Sequence, residues 1–140
     1  MTCFRGTREI QTRYEMNKPQ VLVVDDDPRY LELLQFALET EGFAVVAARN
    51  PRSAQALAVS CRPAVIVSDV SMPEMDGFDV AAELRADPRT ADIPVIFLTA
   101  RSREADRLDG LKAGAVEYIT KPFSPSYLVK RIRSAMKEVS

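Results

Sequence analysis

From Gln20 onward, short runs rich in β-branched residues alternate with stretches of helical period, and that alternation leaves few folds open. The pattern predicts strands over 20–24, 43–48, 64–68, 94–98 and 116–119, and helices over 28–41, 51–60, 77–87, 103–113 and 125–138. Apolar spacing supports the helices: Leu31, Leu34 and Leu38 share one face of the first, Ala105, Leu108 and Leu111 one face of the fourth, and Leu128, Ile132 and Ala135 one face of the last. Three helix starts, Asp27-Pro28, Asn50-Pro51 and Ser124-Pro125, place a capping side chain before a proline whose missing N–H costs nothing at a first helical position. Right-handed crossovers between successive parallel strands then put helices on both faces of the sheet. The expected class is α/β, a doubly wound five-stranded parallel sheet.

Residues 1–18 show no sustained period and stop where Val21-Leu22-Val23-Val24 begins. They are expected to be an N-terminal extension, either a disordered arm or the product of a start placed upstream of Met16, ahead of one domain over 19–140. Lys and Arg total 19 against 20 for Asp and Glu, which is not the electrostatic footprint of a nucleic-acid binder. Apolar runs such as Val95–Leu98 are strand-length, far short of the roughly 20 residues a membrane helix needs. Cys3 and Cys61 suggest no disulfide framework and the first residues no secretory signal, so a reducing cytoplasm is expected.

The chain has 0 histidines, which removes His-based acid–base pairs, catalytic triads and most zinc sites. Any chemistry must run on carboxylates, Lys, Thr and Ser.

In open parallel sheets ligands bind beyond the carboxyl ends of the strands, where strand order reverses; for the order 2-1-3-4-5 that point lies between strands one and three. Strand one ends in Asp25-Asp26-Asp27, strand three in Ser68-Asp69, strand four in Thr99-Ala100, and strand five runs through Thr120 into Lys121-Pro122. Strand two ends in Ala47-Ala48, with nothing reactive. Singly these residues have plain explanations: Asp27 as a helix cap, Asp69 as a loop acid, Thr99 as a strand end, Lys121 as a solvated charge. Together they form a pocket in which carboxylates from adjacent strands would repel one another unless a cation lay between them. Oxygen ligands without His or thiolate favour Mg²⁺, commonly shared between carboxylates and a phosphate. A carboxylate beside Mg²⁺ can attack a phosphoryl group, Lys121 can neutralise the transferring oxygens, and Thr99 can hydrogen-bond the product.

The ordered segments Val23-Val24-Asp25-Asp26-Asp27, Asp69-Val70-Ser71-Met72-Pro73-Glu74-Met75-Asp76-Gly77, Leu98-Thr99-Ala100, Gly114-Ala115 and Tyr118-Ile119-Thr120-Lys121-Pro122-Phe123 resemble the receiver domains of bacterial two-component response regulators. The resemblance covers about residues 19 to 138 and implies a flavodoxin-like strand order 2-1-3-4-5. It makes Asp69 the phosphoacceptor, Asp26 a direct Mg²⁺ ligand, Asp25 a ligand acting mainly through water, and the Ser71 carbonyl the last protein ligand. It makes Thr99 and Tyr118 a switch pair that alters the surface of the fourth helix, fifth strand and fifth helix, and Lys121, before a usually cis proline, the phosphoryl-binding amine. Met72 and Pro73 are expected to shape the loop, and Tyr118 also reads as a plain core aromatic. Ser71 and Arg101 flank the path of attacking water, so the phosphoryl lifetime is open. The implied donor is a phosphohistidine on a sensor histidine kinase or a histidine phosphotransfer protein.

Two other classes remain open at this stage. Asp25-x-Asp27 superficially satisfies the nucleophile motif of a haloacid-dehalogenase-type phosphatase, although 140 residues leave little room for a substrate-selecting cap. A pseudo-receiver would keep the fold as a binding module without phosphorylation. Labelling of Asp25, of Asp69 or of neither by a small phosphodonor separates the three. The last helix runs close to Ser140, which suits a stand-alone receiver with a protein target or one cut from a longer regulator with an output domain. The segment Ala86-Asp87-Pro88-Arg89-Thr90-Ala91-Asp92-Ile93-Pro94 resembles a long loop after the third helix that is seen both in single-domain receivers and in those joined to diguanylate cyclases, and it does not choose between them. Charges such as Arg103, Arg107, Lys130 and Arg131 read as a solvated face.

Overall fold

The computed structural model describes residues 18–70, 77–99, 112 and 117–139. Strands β1 (Gln20–Val24), β2 (Ala44–Ala48), β3 (Val65–Asp69), β4 (Val95–Thr99) and β5 (Glu117–Thr120) form one sheet in the order β2-β1-β3-β4-β5. Every pairing is parallel. The predicted class and strand order are therefore observed. Helix α1 (Pro28–Thr40) joins β1 to β2, α2 (Arg52–Cys61) joins β2 to β3, α3 (Gly77–Ala86) follows β3, and a C-terminal helix spans Pro125–Val139. The predicted fourth helix and the proposed N-terminal extension lie almost wholly outside the described residues.

Side chains alternate across a strand, and here the alternation sorts the core into two layers. Val21, Val23, Val65, Val67, Ile96, Leu98 and Ile119 face Leu31, Leu34 and Leu38 of α1 and Leu128 and Ile132 of the C-terminal helix. Leu22, Val24, Ile66, Val95, Phe97 and Tyr118 face Ala54 and Ala58 of α2 and Val80, Ala81 and Leu84 of α3. The central strands β1, β3 and β4 are buried on both sides, which is why they read as continuous apolar runs rather than alternating ones. Each fully buried Leu, Ile or Phe contributes about 1.5–3 kcal/mol of transfer free energy.

The helix starts follow their caps. Arg29 N donates to Asp27 Oδ1 at 3.0 Å and Tyr127 N to Ser124 Oγ at 3.2 Å. At the second start, Ser53 N donates to Asn50 Oδ1 at 3.1 Å, but Pro51 occupies the cap position itself and the helix begins one residue later than expected. β3 and β4 each run one residue further than expected, so Asp69 and Thr99 are the last residues of their strands. Gly42, at φ 97°, supplies the left-handed turn between α1 and β2.

Candidate functional site

Register brings the carboxyl ends of β1, β3 and β4 level: Val24 pairs with Ser68, and Asp69 with Leu98. Asp25 leaves β1 just beyond, its N–H donating to the Ala48 carbonyl at 3.1 Å. On the other side of the crevice, Lys121 N donates to the Thr99 carbonyl at 2.6 Å, and the Lys121–Pro122 bond is cis, as the resemblance implied.

Carboxylate oxygens of Asp25, Asp26 and Asp69 all lie within 4.8 Å of one another. Asp25 and Asp69 are buried and Asp26 is exposed. Asp27 stands apart from this group, its side chain accepting the α1 cap bond. Lys121 Nζ lies 3.6 Å from Asp69 Oδ1 and 3.8 Å from Asp25 Oδ2. The fold thus brings Asp25, Asp26, Asp69 and Lys121 together.

Burial pushes the Asp25 carboxyl up to about 6; the Asp27 N–H it accepts at 2.9 Å pulls back, the Asp69 charge pushes further, and Lys121 pulls back again. The Asp69 carboxyl is likewise raised, first by burial, with Lys121 opposing and Asp26 adding. Two acids held above their ordinary range by burial and by neighbouring carboxylates mark a pocket built for a positive charge.

Thr99 is fully buried at the end of β4. Tyr118 is buried too, its ring edge-on to Phe97 at a centroid distance of 6.3 Å, and Phe97 meets Phe78 of α3 at 5.1 Å. Tyr118 therefore occupies the core position that was its plainer reading. Ser71, Met72, Pro73 and Arg101 lie outside the described residues.

Sequence reasoning missed Tyr30. Lys121 Nζ sits 4.1 Å from the centre of its ring, and Phe123 packs against that ring at 6.4 Å, nearly perpendicular. Burial, then the charges of Asp25 and Asp69, push the Tyr30 phenol up to about 12. Its signal was positional: an aromatic residue in the first turn of the helix that starts at the acidic triplet. Tyr30 and Lys121 also form one wall of an apolar cavity of about 310 Å³ between α1 and the C-terminal helix, lined further by Leu33, Leu34, Phe123 and Leu128. Leu33 of α1, which lines the cavity, is exposed, as is Phe36 of the same helix, by 72%.

The response regulator receiver domain model matches residues 21–133. RpaA of Synechocystis, a DNA-binding dual master transcriptional regulator, is 41% identical over 119 residues, covering 85% of this chain and 49% of RpaA. PhoB of Pseudomonas aeruginosa, a phosphate regulon transcriptional regulatory protein, is 39% identical over 117 residues, covering 84% of this chain and 51% of PhoB. The chain thus spans about half the length of these two regulators. By contrast it covers 92% of a 14.6 kDa protein of Leptolyngbya boryana, to which it is 43% identical over 124 residues, itself 89% covered. Among solved structures, the Vibrio cholerae chemotaxis protein CheY4 superposes with a TM-score of 0.80 at 31% identity, covering 84% of this chain and 98% of that one. The receiver domain of Francisella response regulator 1452 gives 0.82 at 32% identity, covering 88% and 100%.

Proposed function

The chain belongs to the response-regulator receiver family, and on that premise we propose that Asp69 is its phosphoacceptor, charged by a phosphohistidine on a sensor histidine kinase or histidine phosphotransfer protein. The observation that carries the assignment is the meeting of Asp25, Asp26 and Asp69 within 4.8 Å beside the Lys121 ammonium. Asp27 is engaged as a helix cap, which disfavours the phosphatase reading, and the full acid and lysine set disfavours a pseudo-receiver.

The donor set fits Mg²⁺: it is oxygen only, and it holds two buried acids whose repulsion a divalent cation relieves. Asp26 would bind directly, Asp25 chiefly through water, Asp69 beside the phosphoryl group, and the Ser71 carbonyl would complete the set. When bound, Mg²⁺ neutralises charge on the phosphoryl oxygens.

Asp69 Oδ attacks phosphorus while the phosphorus–nitrogen bond to the donor imidazole breaks and the imidazole takes the electron pair, leaving an aspartyl phosphate. Lys121 holds charge on the transferring oxygens. The Thr99 hydroxyl donates to a phosphoryl oxygen, and Tyr118 follows by repacking against Phe97, altering the surface of the fourth helix, β5 and the C-terminal helix. The protein is a signalling phosphoacceptor rather than a turnover enzyme, and catalysing its own dephosphorylation is part of this proposal. Its output passes to a protein target or to a joined output domain.

A protein donor must bring its imidazole past Lys121 and Tyr30, which the apolar cavity shares. Leu33 of the cavity and the exposed Phe36 of the same helix would meet the apolar face of the donor's phosphohistidine helix. Transfer of this kind belongs in the cytoplasm.

Intact-mass spectrometry after incubation with acetyl phosphate, followed by peptide mapping, tests the assignment. A Mg²⁺-dependent, hydroxylamine-sensitive adduct on Asp69, absent from Asp69→Asn, is expected; an adduct on Asp25, or none on folded protein, overturns it.

A further inference from the structure

We propose that Tyr30 is a positioning residue for phosphoryl transfer, holding the Lys121 ammonium between Asp69 and Asp25 through the face of its ring. This rests on the assignment of Asp69 as phosphoacceptor.

A lysine ammonium rides on a flexible four-carbon stem, so a fixed place above the site needs more than one partner. The carboxylate contacts of 3.6 and 3.8 Å are ion pairs slightly longer than direct hydrogen bonds. The ring supplies a third contact: at 4.1 Å from its centroid, Nζ lies well inside the range of about 6 Å over which a ring face attracts a cation. Tyr30 is placed by α1, whose Leu31 and Leu34 are anchored in the core, and Phe123 packs edge-on against its ring. Because Phe123 lies two residues beyond Lys121, the segment that carries the ammonium also buttresses the ring beneath it.

The attraction belongs to the ring face, so the hydroxyl is dispensable. Tyr30→Phe should stay within about twofold of wild type in its saturating rate of phosphorylation by acetyl phosphate, whereas Tyr30→Leu and Tyr30→Met should fall about three- to tenfold. Half-saturation by the donor should change little, since the lysine acts on charge that develops during transfer. In a Lys121→Ala background the Tyr30→Leu change should cost nothing further.

A second readout needs neither Mg²⁺ nor donor: the ε-methylene protons of Lys121 should show an upfield ring-current shift by NMR in wild type and Tyr30→Phe, lost in Tyr30→Leu and Tyr30→Met. An unchanged lysine shift in the two aliphatic variants, or an equal rate loss with and without Lys121, overturns the proposal. Failure of the wild type to be labelled would overturn the Asp69 assignment and with it the rate role of Tyr30, while the NMR shift would still report whether the ring holds the ammonium.

Discussion

The Lys121 ammonium stands 3.6 Å from Asp69 Oδ1, closer than it stands to Asp25, so the amine is shared by two buried acids but leans towards one of them. That places it beside the carboxylate that attacks phosphorus in the proposed reaction. Lys121→Ala is expected to slow labelling of Asp69 by acetyl phosphate about 10- to 1000-fold, the range found when one preorganised partner of a developing anion is removed. A time course followed by intact mass measures it, and an unchanged rate would remove Lys121 from the transfer.

Asp26 is the exposed member of the acidic group, free of the burial that loads its two neighbours. Asp26→Ala should weaken Mg²⁺ affinity by about tenfold or more. Tyrosine fluorescence is a suitable probe, because the chain has no Trp and Tyr30 sits against the site. Wild-type affinity in this variant would take Asp26 out of the metal site.

Metal-free protein should lose stability as pH rises from about 4 to 6. Asp25 ionises near 3.8 when unfolded but about 6 when folded, so in that window the folded state holds more protons and raising the pH favours unfolding. The Asp69 carboxyl acts in the same direction. For Asp25 alone the loss is about 3 kcal/mol, complete above pH 6. Urea unfolding in EDTA at successive pH values measures the slope. Asp25→Asn should flatten it and Mg²⁺ should restore stability at neutral pH; a rising slope unaffected by Asp25→Asn would contradict the account.

Thr99→Ala should still accept phosphate yet lose its response to a downstream partner. Thr99 is fully buried, and alanine removes the hydroxyl while leaving the Thr99 carbonyl bond to Lys121 N in place. Binding of the partner to phosphorylated wild type and variant is the measurement, and equal responses would refute the switch role.

Phe36→Glu should slow transfer from a protein phosphohistidine donor while leaving labelling by acetyl phosphate within about twofold of wild type. At 72% exposure the side chain contributes little to the core, so the substitution changes the surface at little cost to folding. Equal slowing with both donors would mean that the α1 face is not where the donor docks.

Most of this arrangement could be read from the residues because it depends on periodicity. The apolar stripe of Leu31, Leu34 and Leu38 and the caps at Asp27 and Ser124 are local features, and the structure keeps them. The acids could be placed together because strand ends in a parallel sheet share one edge. Tyr30 could not be placed in the same way. Its meeting with Lys121 joins residues far apart in the chain and depends on which face of the sheet each one occupies. Asp69 has the parity of Val65 and Val67, and Lys121 that of Ile119, so both point towards the layer that holds α1. β3 and β4 end one residue later than expected because parallel pairing of Asp69 with Leu98 and of Thr99 with Thr120 carries the ladder past the apolar runs, and pairing between distant segments is not visible in a local pattern.

The same parity assigns Thr99 and Tyr118 to the opposite layer, with Phe97. The acceptor carboxylate and the lysine therefore leave the sheet on one side and the proposed readout pair on the other, and the two sides meet at the strand ends, where the Thr99 hydroxyl would reach the phosphoryl group. Where Lys121 N meets the Thr99 carbonyl, the backbone makes a feedthrough between them. A change on the α3 side that moves Phe78 would therefore travel through Phe97 to the Tyr118 ring, so the output can be retuned without touching the acids.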